Sequence, residues 1–186
     1  MKRIFDIVFS LFLFVLFLPV FLAVSILVKA TSPGPVIYWS DRVGKNRGLF
    51  KMPKFRSMQI GTPPVATHLL ENPKAHLTRV GSFLRKTSLD ELPQLWSVLV
   101  GQMSFVGPRP ALFNQTDLIE LREKAGVNKL VPGLTGWAQV NGRDELPIPE
   151  KVKFDIDYAK NQCFLFDLKI LFMTLIKITG SNGVSH

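Results

Sequence analysis

The feature that most constrains this chain is an apolar run near its N-terminus that a proline interrupts. From Ile7 to Val28 the sequence has about twenty uncharged, mostly apolar residues, which is close to the minimum for a helix that crosses a bilayer. Pro19 removes a backbone hydrogen bond and favours a kink. As helices, the parts before and after it would be about 22 Å and 13 Å long. The run therefore predicts a bent, re-entrant helix that dips into one leaflet and returns.

Basic residues flank this run on both sides. Lys2 and Arg3 precede it, and a larger group follows it: Lys29, Arg42, Lys45, Arg47, Lys51, Lys54 and Arg56. Positive charge favours the cytoplasmic side of a membrane, so both ends are predicted there, which a straight span cannot satisfy. A kinked spanning anchor remains an alternative, because spanning helices tolerate proline. A cleaved signal peptide is another, although Asp6 fits it poorly.

The remainder of the chain has room for one domain. The sequence has 186 residues, of which 47% are hydrophobic, and the TSPGP turn at 31–35 separates a membrane segment, 1–35, from a catalytic domain, 36–186. The net charge of +9 predicts an anionic partner: lipid headgroups, a nucleotide-linked substrate or nucleic acid. Cys163 is the one cysteine, so an internal disulfide is excluded, and we expect it to pack in the core. The three histidines lack the spacing of zinc ligands.

The patterning of the domain predicts an α-rich α+β fold with short strands. Residues 36–39 are typical of a short strand, and residues 49–58 alternate apolar and basic side chains as a half-buried extended segment does. Residues 77–86 predict a basic helix. Residues 164–178 predict an amphipathic helix that lies flat in the headgroup region, with a core helix as the alternative.

An acidic pair follows the predicted basic helix. Ser88 with Glu91 three positions later is typical of a capped helix start. Asp90 and Glu91 would then lie where unpaired amides and the helix dipole favour negative charge. Capping alone would explain Glu91.

Two glycine-rich segments come next. In GQMSFVGPRP, at 101–110, two prolines bracket Arg109 and stiffen the backbone that presents its guanidinium. A guanidinium grips phosphate oxygens bidentately, although an ordinary exposed turn fits as well. In PGLTGWAQVNGR, at 132–143, Trp137 and Gln139 could hold a base or a sugar, whereas Asn141-Gly142 is also an ordinary hairpin turn.

Four stretches in this order resemble the bacterial sugar transferase family, in particular its small monotopic phosphoglycosyl transferases. They are KFRSM at 54–58, RKTSLDELPQLWSVLVGQMSFVGPRP at 85–110, PGLTGWAQVNGR at 132–143 and FDIDYAKNQCFLFDLKI at 154–170. One departure concerns the helix break, where small members carry Ser-Pro and this chain has Leu18-Pro19. Leucine cannot bond the carbonyl that the proline frees, so the break must rely on the proline and on neighbouring contacts.

The resemblance implies transfer of sugar 1-phosphate from a UDP-sugar to a polyprenyl phosphate such as undecaprenyl phosphate, with release of UMP. This would be the first membrane step of O-antigen, capsule, exopolysaccharide or glycoprotein glycan assembly. It also implies Mg²⁺ as cofactor, contact with membrane lipids, and a place in the bacterial inner (cytoplasmic) membrane with the catalytic domain on the cytoplasmic face. The family's Asp-Glu pair is matched by Asp90 and Glu91.

The resemblance assigns Asp90 as the nucleophile that forms a covalent phosphosugar intermediate. Asp90 is also expected to contact the metal, with Glu91 supporting the metal, capping the helix or handling a proton. Positively charged side chains should hold the substrate oxygens. The candidates are Lys54, Arg56, Arg85, Arg109 and Arg143.

Two other functions remain open at this point. One is a direct, one-step transferase in which Asp90 is only a metal ligand. The other is a membrane-tethered basic protein that binds anionic lipid or nucleic acid without catalysis. Adjacent acids between Arg85 and Arg109 would repel a polyanion, so no nucleic-acid partner is expected.

Overall fold

The structure, a computed structural model, describes residues 1–65, 70–142 and 146–179. Its N-terminal part is a pair of helices, α1 (Lys2–Leu16) and α2 (Leu18–Thr31), and the helix axis bends by 62° between them. Pro19 lies in the first turn of α2, where its missing N–H costs little and its ring prevents α1 from continuing. The rings of Phe14 and Phe21 stack across the break at 5.4 Å. The predicted bend is therefore confirmed, with Leu18 in place of serine.

Within the described ranges, no single helix is long and apolar enough to cross a membrane. Only α1 and α2 taken together reach that length and composition. One side of the pair packs on the domain: Phe5, Phe9 and Phe14 contact its main core. That core includes Met52, Val98, Phe105 and Tyr158. Val24 and Val28 form a second core with Phe55 and Leu84.

Two antiparallel strands form the centre of a small sheet. Strands β1 (Ile37–Val43) and β2 (Leu49–Phe55) pair with Tyr38 opposite Lys54. The short strand β4 (Ala111–Leu112) adds to the other edge of β1, which gives the order β2-β1-β4. Both predicted extended segments are strands, but β1 runs four residues past its predicted end at Trp39, and β2 ends at Phe55 rather than at 58.

A second, parallel pair joins β3 (Ser104–Val106) to β5 (Gly133–Thr135). The chain after β3 passes so close to β5 that a side chain at Gly133 or at Gly136 would collide with the backbone of Gly107. These glycines are required by the close approach of two backbones.

Short helices complete a helix-rich α+β domain, as the sequence predicts. They are α3 (Gly81–Lys86), α4 (Leu95–Leu99), α5 (Thr116–Lys124), α6 (Trp137–Gly142), α7 (Ile148–Asn161) and α8 (Phe164–Thr179). Three sequence predictions are wrong here. The basic helix begins at Gly81 rather than at 77, Asn141-Gly142 ends a helix instead of forming a hairpin turn, and Cys163 is exposed between α7 and α8 instead of packed.

Both ends of the helix pair are bonded to this domain. The ammonium of Lys2 donates to the Asp167 carboxylate at 2.6 Å, to the Tyr158 hydroxyl at 2.9 Å and to the Val106 carbonyl at 2.8 Å. At the other end, Arg56 donates to the hydroxyl and the carbonyl of Ser32. The start of α1 and the end of α2 therefore lie against one globular body.

Candidate active site

Asp90 and Glu91 lie on a single 3₁₀ turn, Leu89–Gln94, between α3 and α4. The predicted capping interaction at Ser88 is wrong, because the Ser88 side chain makes no capping hydrogen bond and its backbone is left-handed, with φ of 56°. A left-handed serine is strained, and such strain is typical of functional turns. Ser88 lies between α3 and the 3₁₀ turn that carries the acidic pair.

Glu91 is held by two cations instead of serving as a helix cap. One carboxylate oxygen accepts from the Lys54 ammonium and from the Arg109 guanidinium, each at 2.8 Å. Burial alone would raise the pKa of Glu91. The charges of Arg109 and Lys54, together with their hydrogen bonds, outweigh burial, so the pKa lies well below its ordinary value and Glu91 is ionised.

Asp90 has the opposite electrostatic balance. Its side chain is buried, and none of the described residues donates a hydrogen bond to its carboxylate. Its pKa is raised to about 6: burial is the largest cause and the charge of Glu91 adds to it, while the charges of Lys54, Arg85 and Arg109 partly offset both. Neighbouring carboxylates with pKa values pushed apart are typical of sites in which two acids have different roles.

Lys54 reaches the acidic pair from the end of β2, and this strand packs against the 3₁₀ turn. Burial lowers the pKa of its ammonium, and Glu91 and Asp90 raise it in part. The acidic pair therefore favours the charged form of Lys54.

Arg109 is presented by a loop that follows β3, between Pro108 and Pro110. Two side chains outside the sequence predictions support that loop. Arg122 donates to the Arg109 carbonyl at 2.7 Å, and Arg42 donates to the Pro110 carbonyl at 3.1 Å. No local pattern marks them, because their partners are distant in sequence.

The structure brings together four of the predicted site residues: Lys54, Asp90, Glu91 and Arg109. Arg85, on α3, is near enough for its charge to lower the pKa of Asp90. Arg56 lies elsewhere, buried with its guanidinium on Ser32 at the end of α2. Arg143 lies outside the described residues.

Trp137 is engaged within the protein. Its indole N–H donates to Asp157 at 2.8 Å, and its ring packs against Phe166 at 5.0 Å and lies under the Lys169 ammonium. The amide of Gln139 is different, because its nitrogen and its oxygen are both buried and have no hydrogen-bond partner among the described residues. Asp155 pairs with Arg122 at 2.7 Å.

Within the described ranges, the structure holds no group of three or more carboxylate, histidine or cysteine side chains suited to a metal ion. Mg²⁺ typically takes only one or two protein carboxylates and fills its other positions with water and substrate phosphates. Asp90, whose carboxylate receives no protein hydrogen bond there, fits such a site, whereas the paired Glu91 oxygen is already occupied.

The fold and the site define a class: a helix-rich α+β protein with an apolar, bent N-terminal helix pair and an acidic pair among cations suited to phosphate. The chain belongs to the bacterial sugar transferase family, whose sequence model matches residues 1–181. The family prediction is therefore confirmed.

Three relatives illustrate the similarity. The UDP-glucose:undecaprenyl-phosphate glucose-1-phosphate transferase of Escherichia coli K12 is 43% identical over 185 residues, which cover 95% of this chain and 40% of that protein. The exopolysaccharide production protein ExoY of Rhizobium meliloti is 38% identical, covering 98% of this chain and 87% of that protein. The uncharacterized sugar transferase EpsL of Bacillus subtilis is 36% identical, covering 100% and 91%. The chain thus spans well under half of the longer relatives.

Proposed function

We propose that this protein transfers sugar 1-phosphate from a UDP-sugar to a polyprenyl phosphate, such as undecaprenyl phosphate, and releases UMP. The observation that carries the proposal is the buried Asp90 carboxylate beside Glu91, which is fixed between Lys54 and Arg109. Relatives named as glucose-1-phosphate transferases that use undecaprenyl phosphate support it. The reaction would be the first membrane step of glycoconjugate assembly.

In the proposed mechanism, Asp90 acts as the nucleophile in two steps. One of its oxygens attacks the phosphorus that bears the sugar, the bond from that phosphorus to the bridging oxygen breaks, and UMP leaves with the electron pair. A phosphate oxygen of the polyprenyl phosphate then attacks the same phosphorus and releases the Asp90 carboxylate. Such covalent catalysis divides one displacement between two anions into two simpler ones.

Positive charge is what makes attack by an anion on a diphosphate feasible. Lys54, Arg85 and Arg109 lie close enough to act on Asp90 electrostatically, and they are suited to hold the oxygens of the diphosphate. We propose that Glu91 acts on the neighbouring cations. It favours the charged form of Lys54 and fixes the position of the Arg109 guanidinium.

The site also suits Mg²⁺ with Asp90 as its protein ligand. When bound, the ion would neutralise the charge that develops on the leaving diphosphate oxygen. The direct one-step route, with Asp90 only a metal ligand, uses the same residues and differs in having no phosphosugar-enzyme.

For the membrane arrangement we propose a re-entrant hairpin with the domain on the cytoplasmic face of the bacterial inner membrane. The start of α1 is bonded to Asp167, and the end of α2 is bonded to Arg56. Both partners belong to one body, which supports a hairpin whose two ends would lie on one side of the bilayer, whereas a straight span would separate them. The apolar outer sides of α1 and α2 would then face lipid.

The test is UMP release by the full chain in nanodiscs that contain undecaprenyl phosphate, with Mg²⁺ and a panel of UDP-sugars. Turnover with at least one sugar is expected, and a rapid quench with donor labelled in the sugar should trap label on the protein. Asp90→Asn should remove both, while Asp41→Asn, on the exposed face of β1, should keep both.

Each alternative has its own outcome in this experiment. Turnover by Asp90→Asn would refute the nucleophile. Turnover by the wild type, together with no label trapped on the protein in nanodiscs that lack undecaprenyl phosphate, would favour the one-step route. Absence of UMP with every sugar would favour a non-catalytic binder of anionic lipid.

A further inference from the structure

The loop that carries Arg109 has few backbone donors of its own. Pro108 and Pro110 have no backbone N–H, so two of its three consecutive residues offer no donor. Its carbonyls accept from outside instead: Pro108 from the Gly133 N–H at 2.9 Å, Arg109 from Arg122 at 2.7 Å and Pro110 from Arg42 at 3.1 Å. The loop is therefore shaped by donors on other elements.

Of the two side-chain donors, Arg122 is the more deeply buried. It lies on α5 and is buried, and its guanidinium is oriented by Asp155 of α7, which is almost completely buried. The Arg122 Nε and Nη2 atoms contact one Asp155 oxygen at 2.9 and 2.7 Å, and Nη1 points to the Arg109 carbonyl. One planar group thus joins α7 to the loop, a geometry that a lysine ammonium cannot reproduce.

We infer that Arg122 and Asp155 form a positioning pair for Arg109 and, through the bond between Arg109 and Glu91, for the acidic pair. The inference rests on the proposed function only for its kinetic consequence. The hydrogen bonds of this pair go to each other and to the Arg109 carbonyl, not to Asp90. Their effect is to fix the backbone from which the Arg109 side chain extends.

The first measurement is structural and needs no turnover. ¹⁵N relaxation of the Arg109 Nε–H, assigned with Arg109→Lys, reports how rigidly the guanidinium is held. In the wild type its order parameter should be about 0.8, and in Arg122→Lys it should fall to about 0.6 or lower. The matched control is Glu123→Gln, which lies next to Arg122 on α5 and removes only an exposed ion pair with Arg47. It should leave the Arg109 signal unchanged.

The second measurement is a double-mutant cycle in kcat/KM for UMP release. Arg122→Lys should lower kcat/KM about 10- to 100-fold in the wild type, because small misplacements of a binding group are costly. In an Arg109→Lys background, Arg122→Lys should lower kcat/KM less than threefold, since the arginine that Arg122 positions is already gone. A purely structural role would lower kcat/KM by the same factor in both backgrounds.

The outcomes separate this inference from the proposed function. An unchanged Arg109 order parameter in Arg122→Lys, or equal losses in both backgrounds, overturns the positioning role. Absence of UMP release by the wild type overturns the proposed function, and the relaxation measurement still decides the pair. Should Arg122→Lys not fold, the double variant R122Q/D155N, which leaves no unpaired buried charge, replaces it in both measurements.

Discussion

The Asp90 carboxylate combines two requirements that conflict. In the proposed mechanism Asp90 must be ionised to act as the nucleophile, yet its side chain is buried and burial favours the neutral form. The pKa of about 6 leaves it mostly ionised at pH 7, at an energetic cost to the fold. Strain at the left-handed Ser88, two residues earlier, adds to that cost. The acidic turn is thus a place where stability and reactivity oppose each other.

Asp90→Asn should therefore stabilise the protein while it removes turnover. The pKa of Asp90 is 3.8 in its ordinary state and about 6 in the fold, and each pH unit corresponds to about 1.4 kcal/mol, so ionised Asp90 costs the fold about 3 kcal/mol at pH 8. Below pH 4 Asp90 is neutral in the fold and costs no stability; the free energy of unfolding of the wild type then falls as the pH rises through 6. Unfolding in detergent should show an advantage of Asp90→Asn of about 3 kcal/mol at pH 8 and almost none near pH 4.

Two results would contradict this account of Asp90. One is an advantage of the asparagine variant that does not change between pH 4 and pH 8. The other is a loss of stability at pH 8. Asp41→Asn, which replaces an exposed carboxylate, should stay within about 0.5 kcal/mol of the wild type at both pH values.

At the scale of elements, the start of α1 is joined to three distant parts of the domain. Lys2 bonds α7, α8 and β3, and Arg3 donates to the Val98 and Leu99 carbonyls at the end of α4. Since α4 directly follows the turn with Asp90, α1 is mechanically continuous with the candidate site. Lys2 and Arg3, which the sequence presents as charges that set membrane orientation, make hydrogen bonds to the domain in the fold.

Lys2→Met should therefore weaken the docking of α1. The change leaves Asp167 buried without its cation and the Tyr158 hydroxyl without one donor, so we expect a loss of about 2 kcal/mol in the free energy of unfolding. Lys29→Met is the matched control, because Lys29 is exposed on α2 and makes one long bond, 3.4 Å, to the Gly34 carbonyl. Equal stability of the two variants in detergent would refute this role of Lys2.

The elements that the sequence predicts well are those with a local cause. Pro19 fixes the bend, and alternation in 49–58 gives β2. The capping interaction at Ser88 fails because Glu91 is taken by Lys54, 37 residues earlier, and by Arg109, 18 residues later. Arg122 is missed for the same reason, since its partner Asp155 is 33 residues away. A local pattern predicts an element, whereas tertiary pairing decides what its polar side chains do.

For the whole molecule, most large apolar side chains that the structure leaves exposed belong to α1, α2 and α8. On α8 they include Leu165, Phe172 and Leu175, and α8 adjoins the start of α1 through the rings of Phe5 and Phe164 at 5.6 Å. The helix predicted over 164–178 is confirmed. An apolar surface of this kind is typical of membrane contact.

The net charge of +9 and the apolar helices predict different responses of membrane binding to salt. At 1 M NaCl the Debye length is about 3 Å, so attraction to anionic headgroups is largely screened, whereas burial of apolar side chains is not. We therefore expect the protein to stay on phosphatidylglycerol-containing vesicles at 1 M NaCl in sedimentation assays, and to bind neutral phosphatidylcholine vesicles too. Replacing Leu165 and Phe172 by serine should lower the partition coefficient by at least about 100-fold, because each loses about 1.5 kcal/mol or more of favourable burial in lipid. The equally exposed Leu49 and Ile60 lie outside these helices, and serine there should change little. Complete release by salt would show a purely electrostatic binder instead.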